Sequence, residues 1–150
     1  TSSKYHNHMD LGIGGLVHHT KAVLRISYEL LNNPLAPQAL TYEEEDDINV
    51  ACLFHDTIHQ GKPEKDHTDF LHPVLVRQAL NPGNFTEEEV KVWNRICDLI
   101  DTHMGPWILD THNEYSKKIE LKCPSSTAQI FVHMCDYIAS RKCISVDVYD

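Results

Sequence analysis

Ala51-Cys52-Leu53-Phe54-His55-Asp56-Thr57 decides how this chain is read, because an apolar helical run ends there in an imidazole and a carboxylate side by side. Burying such a pair is expensive unless the two groups hold a cation or each other. The dipeptide alone is weak evidence. Four more candidate ligands, His19, His72, His103 and Asp136, fall near the ends or on the inner faces of other expected helices. Each has an ordinary explanation by itself: a core histidine, a helix cap, a histidine at a helix C-terminus, a paired carboxylate. Together they put six polar groups into helices that otherwise bury apolar faces, and that points to a metal site. Imidazoles and carboxylates suit Zn²⁺, Mn²⁺, Fe²⁺ or Ni²⁺, and one carboxylate can bridge two metals. Neighbouring residues on a helix point in different directions, so His55 and Asp56 can serve such a site from different sides.

The sequence around these residues reads as helices throughout. After a loop over 1–15, Leu16, Val23, Ile26 and Leu30 recur at helical spacing to about Asn32, with His19 on the flank of Val23 and Ile26; Pro34 and Pro37 end the run. Thr41 with Glu44 is a capping box for the helix that ends near His55, and the acidic run 43–47 reads as its solvated first turn. A polar loop over 57–69 follows, of the kind that carries substrate contacts. The next helix is expected from about Thr68 to Leu80, with Pro73 in its first turn and His72 near its start. Thr86 with Glu89 caps a helix reaching about His103 that buries Val92, Trp93, Ile96, Leu99 and Ile100. The stretch 107–124 lacks periodicity and reads as a loop with a short hairpin. Ser126 with Gln129 caps a last, mostly apolar helix around Asp136, and 144–149 alternates weakly like a strand. The sum is an all-α bundle of about five or more helices in a single domain, 1–150, with a central metal site.

Composition narrows the function. A net charge of −9 argues against binding a long nucleic-acid backbone, whereas a small phosphorylated substrate remains compatible if metals and a few lysines supply local positive charge. Eleven histidines hint at metal binding. The five cysteines, Cys52, Cys97, Cys123, Cys135 and Cys143, form no CxxC pair and read as buried thiols in a reducing compartment. With no leader peptide, membrane-spanning run or lipidation motif in the sequence, the expectation is a cytoplasmic protein that binds no membrane.

The ordered set His19, His55-Asp56, His72, His103, Asp136 resembles the HD-domain superfamily of metal-dependent phosphohydrolases over most of the chain. The matching segments are Gly14-Gly15-Leu16-Val17-His18-His19-Thr20, Leu53-Phe54-His55-Asp56, His72-Pro73, Asp101-Thr102-His103 and Cys135-Asp136-Tyr137-Ile138-Ala139-Ser140-Arg141. The resemblance implies that His19, His55, Asp56 and Asp136 ligate a common metal, and that His72 and His103 are the extra ligands of the two-metal branch. Ser3-Lys4-Tyr5-His6 ahead of the first helix is similar to the front end of small bacterial and phage HD proteins, some of them attached to RNA-acting nucleases. One departure stands out: where many relatives carry a lysine shortly after the His-Asp pair, this chain has Thr57-Ile58-His59.

The resemblance implies hydrolysis of a phosphoester in a nucleotide or short oligonucleotide by a metal-activated water, in a bacterial or phage-infected cell. Two divalent metals (Mn, Fe, Ni, Zn or Co, with Mg as an alternative) are expected as cofactors. Asp56, His59 and Lys62 are the expected catalytic side chains, and Lys4, His6, Lys65 and Arg141 the expected phosphate contacts. His133 is read as a core histidine or as a partner orienting Asp136. Two rivals stay open: a diiron oxygenase on the same six ligands, and a non-catalytic module that senses a nucleotide or metal.

Overall fold

Each of the three capping boxes starts a helix. In a computed structural model that describes residues 6–34, 40–80, 83–109 and 121–148, Thr41 accepts from the Glu44 backbone N–H and opens α2, Tyr42–Phe54. Thr86 with Glu89 opens α4, Glu87–Ile100, and Ser126 with Gln129 opens α5, Thr127–Ala139. The first long helix, α1, spans Gly15–Leu31 behind Gly14 in the left-handed region, where φ is 83°. The shortest, α3, covers His72–Ala79 with proline in its first turn. No strand occurs among the described residues. The fold is an all-helical bundle.

Several boundaries differ from expectation for local reasons. The helix expected from Thr68 starts only at His72, because the Asp69 side chain accepts the Leu71 N–H at 3.0 Å and the Asp69 carbonyl accepts the His72 N–H at 3.0 Å. These bonds hold a turn that Pro73, lacking an N–H, suits as an entry. The helix expected to reach His103 ends at Ile100 and tightens, with His103 N–H bonding the Ile100 carbonyl and Gly105 N–H the Thr102 carbonyl. The front loop contains a 3-10 turn, His8–Asp10, and another 3-10 segment covers Gly105–Leu109. The hairpin expected further on falls mainly on 110–120, outside the described residues. The tail forms no strand over 144–148; instead the Ile144 carbonyl accepts the Asn7 side-chain N–H at 2.9 Å.

Helix α1 packs on α2 and α5, α4 packs on α2 and α5, and α3 leans on α4. Their shared interior holds Val23, Ile48, Ala51, Cys52, Val76, Ile100, Val132 and Cys135, all fully buried or nearly so. The acidic run of α2 is not wholly solvated: Asp47 is buried and accepts Arg95 Nε at 2.8 Å, while Glu43 takes the same guanidinium at 2.6 Å. Arg95 therefore pins α2 to α4. Cys52, Cys97 and Cys135 are buried free thiols, but Cys123 and Cys143 are exposed, lying outside the helices whose apolar faces bury the others. Trp93 is partly buried against the core, edge-on to Phe54, as its helical spacing predicts. No helix among the described residues is long and apolar enough to cross a membrane.

Burial of Ile100 in the centre of this interior makes it the better test of the packing than the exposed Ile13. Ile100→Ala is expected to lower unfolding free energy by about 2–5 kcal/mol. Ile13→Ala should stay within about 0.5 kcal/mol of wild type. Urea denaturation followed by far-UV circular dichroism measures both.

Candidate metal centre

All six residues singled out by sequence meet at one end of the helices. His19 lies one turn into α1, on the face of Gly15. His55 is the C-cap of α2, with Asp56 in the turn after it. His72 is the first residue of α3, His103 sits three residues beyond α4, and Asp136 belongs to α5. Helix ends are natural supports for such groups because their last carbonyls have no partner within the helix.

That local rule fixes His55 and His103, and the Asp69 carbonyl in the turn before α3 does the same for His72. His55 Nδ1 bonds the Cys52 carbonyl at 2.8 Å, His72 Nδ1 the Asp69 carbonyl at 2.7 Å, and His103 Nδ1 the Ile100 carbonyl at 2.8 Å. A carbonyl can only accept, so each Nδ1 carries the hydrogen and each Nε2 of a neutral ring is a bare acceptor. These bare nitrogens face one another. His72 Nε2 is 3.0 Å from His103 Nε2, and His55 Nε2 is 3.4 Å from His19 Nε2. Lone pairs that close repel unless a cation lies between them. Two imidazoles on one metal, at about 2.0–2.1 Å each, would hold their nitrogens about 2.8–3.4 Å apart for angles between square and tetrahedral. The spacing fits a divalent metal.

The carboxylates complete two groups. Asp56 Oδ1 is 3.0 Å from His72 Nε2 and 3.6 Å from His103 Nε2, while its Oδ2 is 3.7 Å from His55 Nε2 and 3.9 Å from His19 Nε2. Asp136 Oδ1 joins the second group, 3.1 Å from His19 and 3.8 Å from His55. Asp56 thus presents one oxygen to each imidazole pair. His19, His55 and Asp56, and Asp56, His72 and His103, each have donor atoms close enough together to hold a metal ion.

Electrostatics favour a cation here. Burial pushes the Asp56 carboxyl up, but His55, His103 and His72 outweigh it and hold the group well below the usual carboxylate range. Asp136 behaves likewise: burial raises it, while the bond from His19 and the charges of His55, His19 and His103 bring it lower. Burial lowers His19 and His103, yet Asp136 and Asp56 respectively draw both above the ordinary imidazole value. Protons therefore compete with metal for these nitrogens. His55, fully buried and without a carboxylate hydrogen bond, is pushed down by burial.

The residues expected around the ligands divide into groups. His6 packs edge-on to His19 with ring centres 5.0 Å apart, and burial and the His19 charge lower its pKa. His59 is partly buried, lowered chiefly by burial, and feels the Asp56 charge. Lys62 is exposed on the turn that follows. Lys65 is spent on Asp69, with Nζ to Oδ2 at 2.6 Å, bracing the turn whose carbonyl holds His72. Arg141 lies over the Tyr137 ring at 4.3 Å and donates to Ser140 Oγ at 2.9 Å. Lys4 falls outside the described residues. His133 does not bond Asp136; its Nδ1 donates to the His103 carbonyl at 2.7 Å, in space left by Gly105, where any Cβ would strike the His133 ring.

Sequence reading passed over Asp10 and His18. Asp10 is 1% exposed and its Oδ1 accepts His18 Nδ1 at 2.7 Å, with Oδ2 turned toward His6 and His19 at 3.6 and 4.0 Å. No local motif announces this; it depends on the front segment folding back onto α1.

If these donors hold metal, Zn²⁺ or Mn²⁺ at 100 times its dissociation constant should stabilise the fold by about 2.7 kcal/mol. That corresponds to roughly 5–10 °C in Tm for a chain of this size. Differential scanning fluorimetry should show the rise with metal, its loss with a chelator, and a much smaller rise in Asp56→Ala, whose helical content should match wild type.

No curated protein matches the chain at significant similarity. No solved structure does so either. A family model, the HD domain, matches residues 16–140. Because that match spans most of the chain and includes all six converging residues, the chain belongs to the HD-domain family, whose members are in general metal-dependent phosphohydrolases that bind divalent metals.

Proposed function

We propose that the protein is a two-metal phosphohydrolase that cleaves a phosphoester in a nucleotide or short oligonucleotide, with Mn, Fe, Ni, Zn or Co as the divalent cofactor and Mg as an alternative. The observation that carries this reading is the division of Asp56, one oxygen toward His72 and His103, the other toward His55 and His19. Bound metals would supply a water of lowered pKa and offset the charge that builds on phosphoryl oxygens.

The chain's own residues set the direction of approach. The Asp56 and Asp136 side chains are 12% and 22% exposed, against 0–6% for the four imidazoles, so substrate reaches the centre from the carboxylate side. His59 and His6 stand near this centre as imidazoles kept neutral by burial, each with one N–H to offer a phosphoryl oxygen. His59 takes the place of the lysine that many relatives carry after the His-Asp pair. Lys62, Lys4 and Arg141 are further candidates for phosphate contact, whereas Lys65 serves the loop. Three buried free thiols fit a reducing compartment, the cytoplasm of a bacterial or phage-infected cell.

Elemental analysis of protein purified without chelator or metal-affinity resin should find about two transition metals per chain, the number expected of a centre with one shared carboxylate. Release of phosphate or nucleotide from activated phosphodiesters and dinucleotides should then proceed with Mn²⁺ under strictly anaerobic conditions. Turnover that requires iron and consumes oxygen would instead establish an oxygenase. Asp56→Ala should abolish hydrolysis, and retained turnover would sink the assignment. His59→Ala should keep its metal and raise KM about tenfold or more, the value of one hydrogen bond to a charged group; metal loss in that variant would put His59 among the ligands.

A further inference from the structure

Three of the four imidazoles at the centre take their orientation from a carbonyl three residues earlier, and His19 does not. The difference follows from position. Cys52 and Ile100 lie in the last turns of α2 and α4, and Asp69 precedes α3, so their carbonyls are available to a side chain. His19 stands inside α1, where the preceding carbonyls are engaged in the helix ladder. Its Nδ1 is buried and has no hydrogen-bond partner among the described residues. A ligating imidazole ordinarily gives its other N–H to an acceptor, which fixes the tautomer and makes the ligating nitrogen more basic.

We infer that Asp10 is the positioning residue for His19, its carboxylate accepting the Nδ1–H so that Nε2 is presented to the centre. Asp10 Oδ2 is 4.0 Å from His19 Nδ1, about an ångström beyond hydrogen-bond range. A small approach of either side chain closes that gap. Oδ1 accepts from His18 Nδ1 at 2.7 Å, and Oδ2 lies between His19 and His6, 3.6 Å from His6 Nδ1. Gly15 provides the seat: a Cβ on it would overlap the Asp10 carbonyl, so only glycine lets the front segment lie against the start of α1. Gly15 and His19 are four residues apart, hence on the same face one turn apart. Gly15 therefore does more than start a helix. It brings a buried carboxylate to the one ligand that lacks a carbonyl of its own.

This inference rests on the metal reading, and its test separates the two. The apoprotein is titrated with Zn²⁺ in competition with a chromogenic chelator, and long-range ¹H–¹⁵N spectra of the zinc-loaded protein report the imidazole N–H groups. Asp10→Asn can keep its oxygen on His18 but then turns an amide N–H toward the His19 N–H. One zinc site should weaken about 10–100-fold while the other is unchanged. Gly15→Ala, which displaces Asp10 without altering its charge, should weaken the same site. In the wild-type protein the His19 Nδ1–H should resonate downfield of those of His55, His72 and His103, which bond neutral carbonyls. That last measurement needs no variant, so a variant that fails to fold leaves the question decidable. Zinc affinity of folded Asp10→Asn equal to wild type, or a His19 Nδ1–H in free exchange with water, overturns the inference. A wild-type protein that takes up no zinc overturns the metal reading beneath it.

Discussion

The structure depends on the commitment of imidazole hydrogens to backbone carbonyls at helix ends. Once the Nδ1–H groups of His55, His72 and His103 are given to the carbonyls of Cys52, Asp69 and Ile100, their Nε2 lone pairs have nowhere to point but inward. Two nitrogens 3.0 Å apart and a carboxylate between the pairs make a cluster that a core does not carry unaided. A proton can relieve part of the repulsion, and Asp136 and Asp56 favour one on His19 and His103 respectively by drawing both above the ordinary imidazole value. A divalent cation relieves more of it, because it engages several donors at once. The fold thereby stores a demand for a metal that the apolar interior behind it must tolerate.

The rest of the bundle keeps these helix ends in register. Arg95 joins α4 to Glu43 and Asp47 on α2. Arg77 on α3 reaches Asn94, Asp98 and Asp101, which lie along α4 and the turn just before His103. Such pairs are partly exposed and add little stability singly. Their value is geometric, since α3 carries His72 and the end of α4 carries His103, and a slip of one helix along the other would separate those nitrogens. His133 adds a direct tie, from α5 to the His103 carbonyl.

Much of this was legible in the sequence because it rests on local rules. Thr41 with Glu44, Thr86 with Glu89 and Ser126 with Gln129 are signals spaced three residues apart, and each marks a helix start to the residue. The six converging residues were legible as residue types that apolar helices do not otherwise tolerate. What escaped was tertiary. Asp10 looks like a loop aspartate until Gly15 admits it to α1, and Lys65 looks like a free cation until the turn at Asp69 faces it. The start at Thr68 expected for α3 failed because periodicity extended the helix through Asp69, whose side chain instead builds a turn. Cys123 and Cys143 were expected inside on composition alone, and composition does not know that they lie beyond the helices.

Charge distribution bears on what the centre can accept. Carboxylates outnumber basic side chains by 22 to 13, and Arg77, Arg95 and Lys65 are already paired with acids. On the proposed reading, an anionic substrate therefore finds its positive charge chiefly in the metals themselves. That attraction acts at contact distance, whereas charges more than about 8–10 Å apart are largely screened at physiological salt. A nucleotide or a short oligomer can sit mostly within reach of the metals. With a net charge of −9, the chain as a whole repels the further phosphates of a long strand, so added length brings little added affinity. On that reading, the negative charge that disfavours a long backbone also limits the size of substrate this centre is suited to bind.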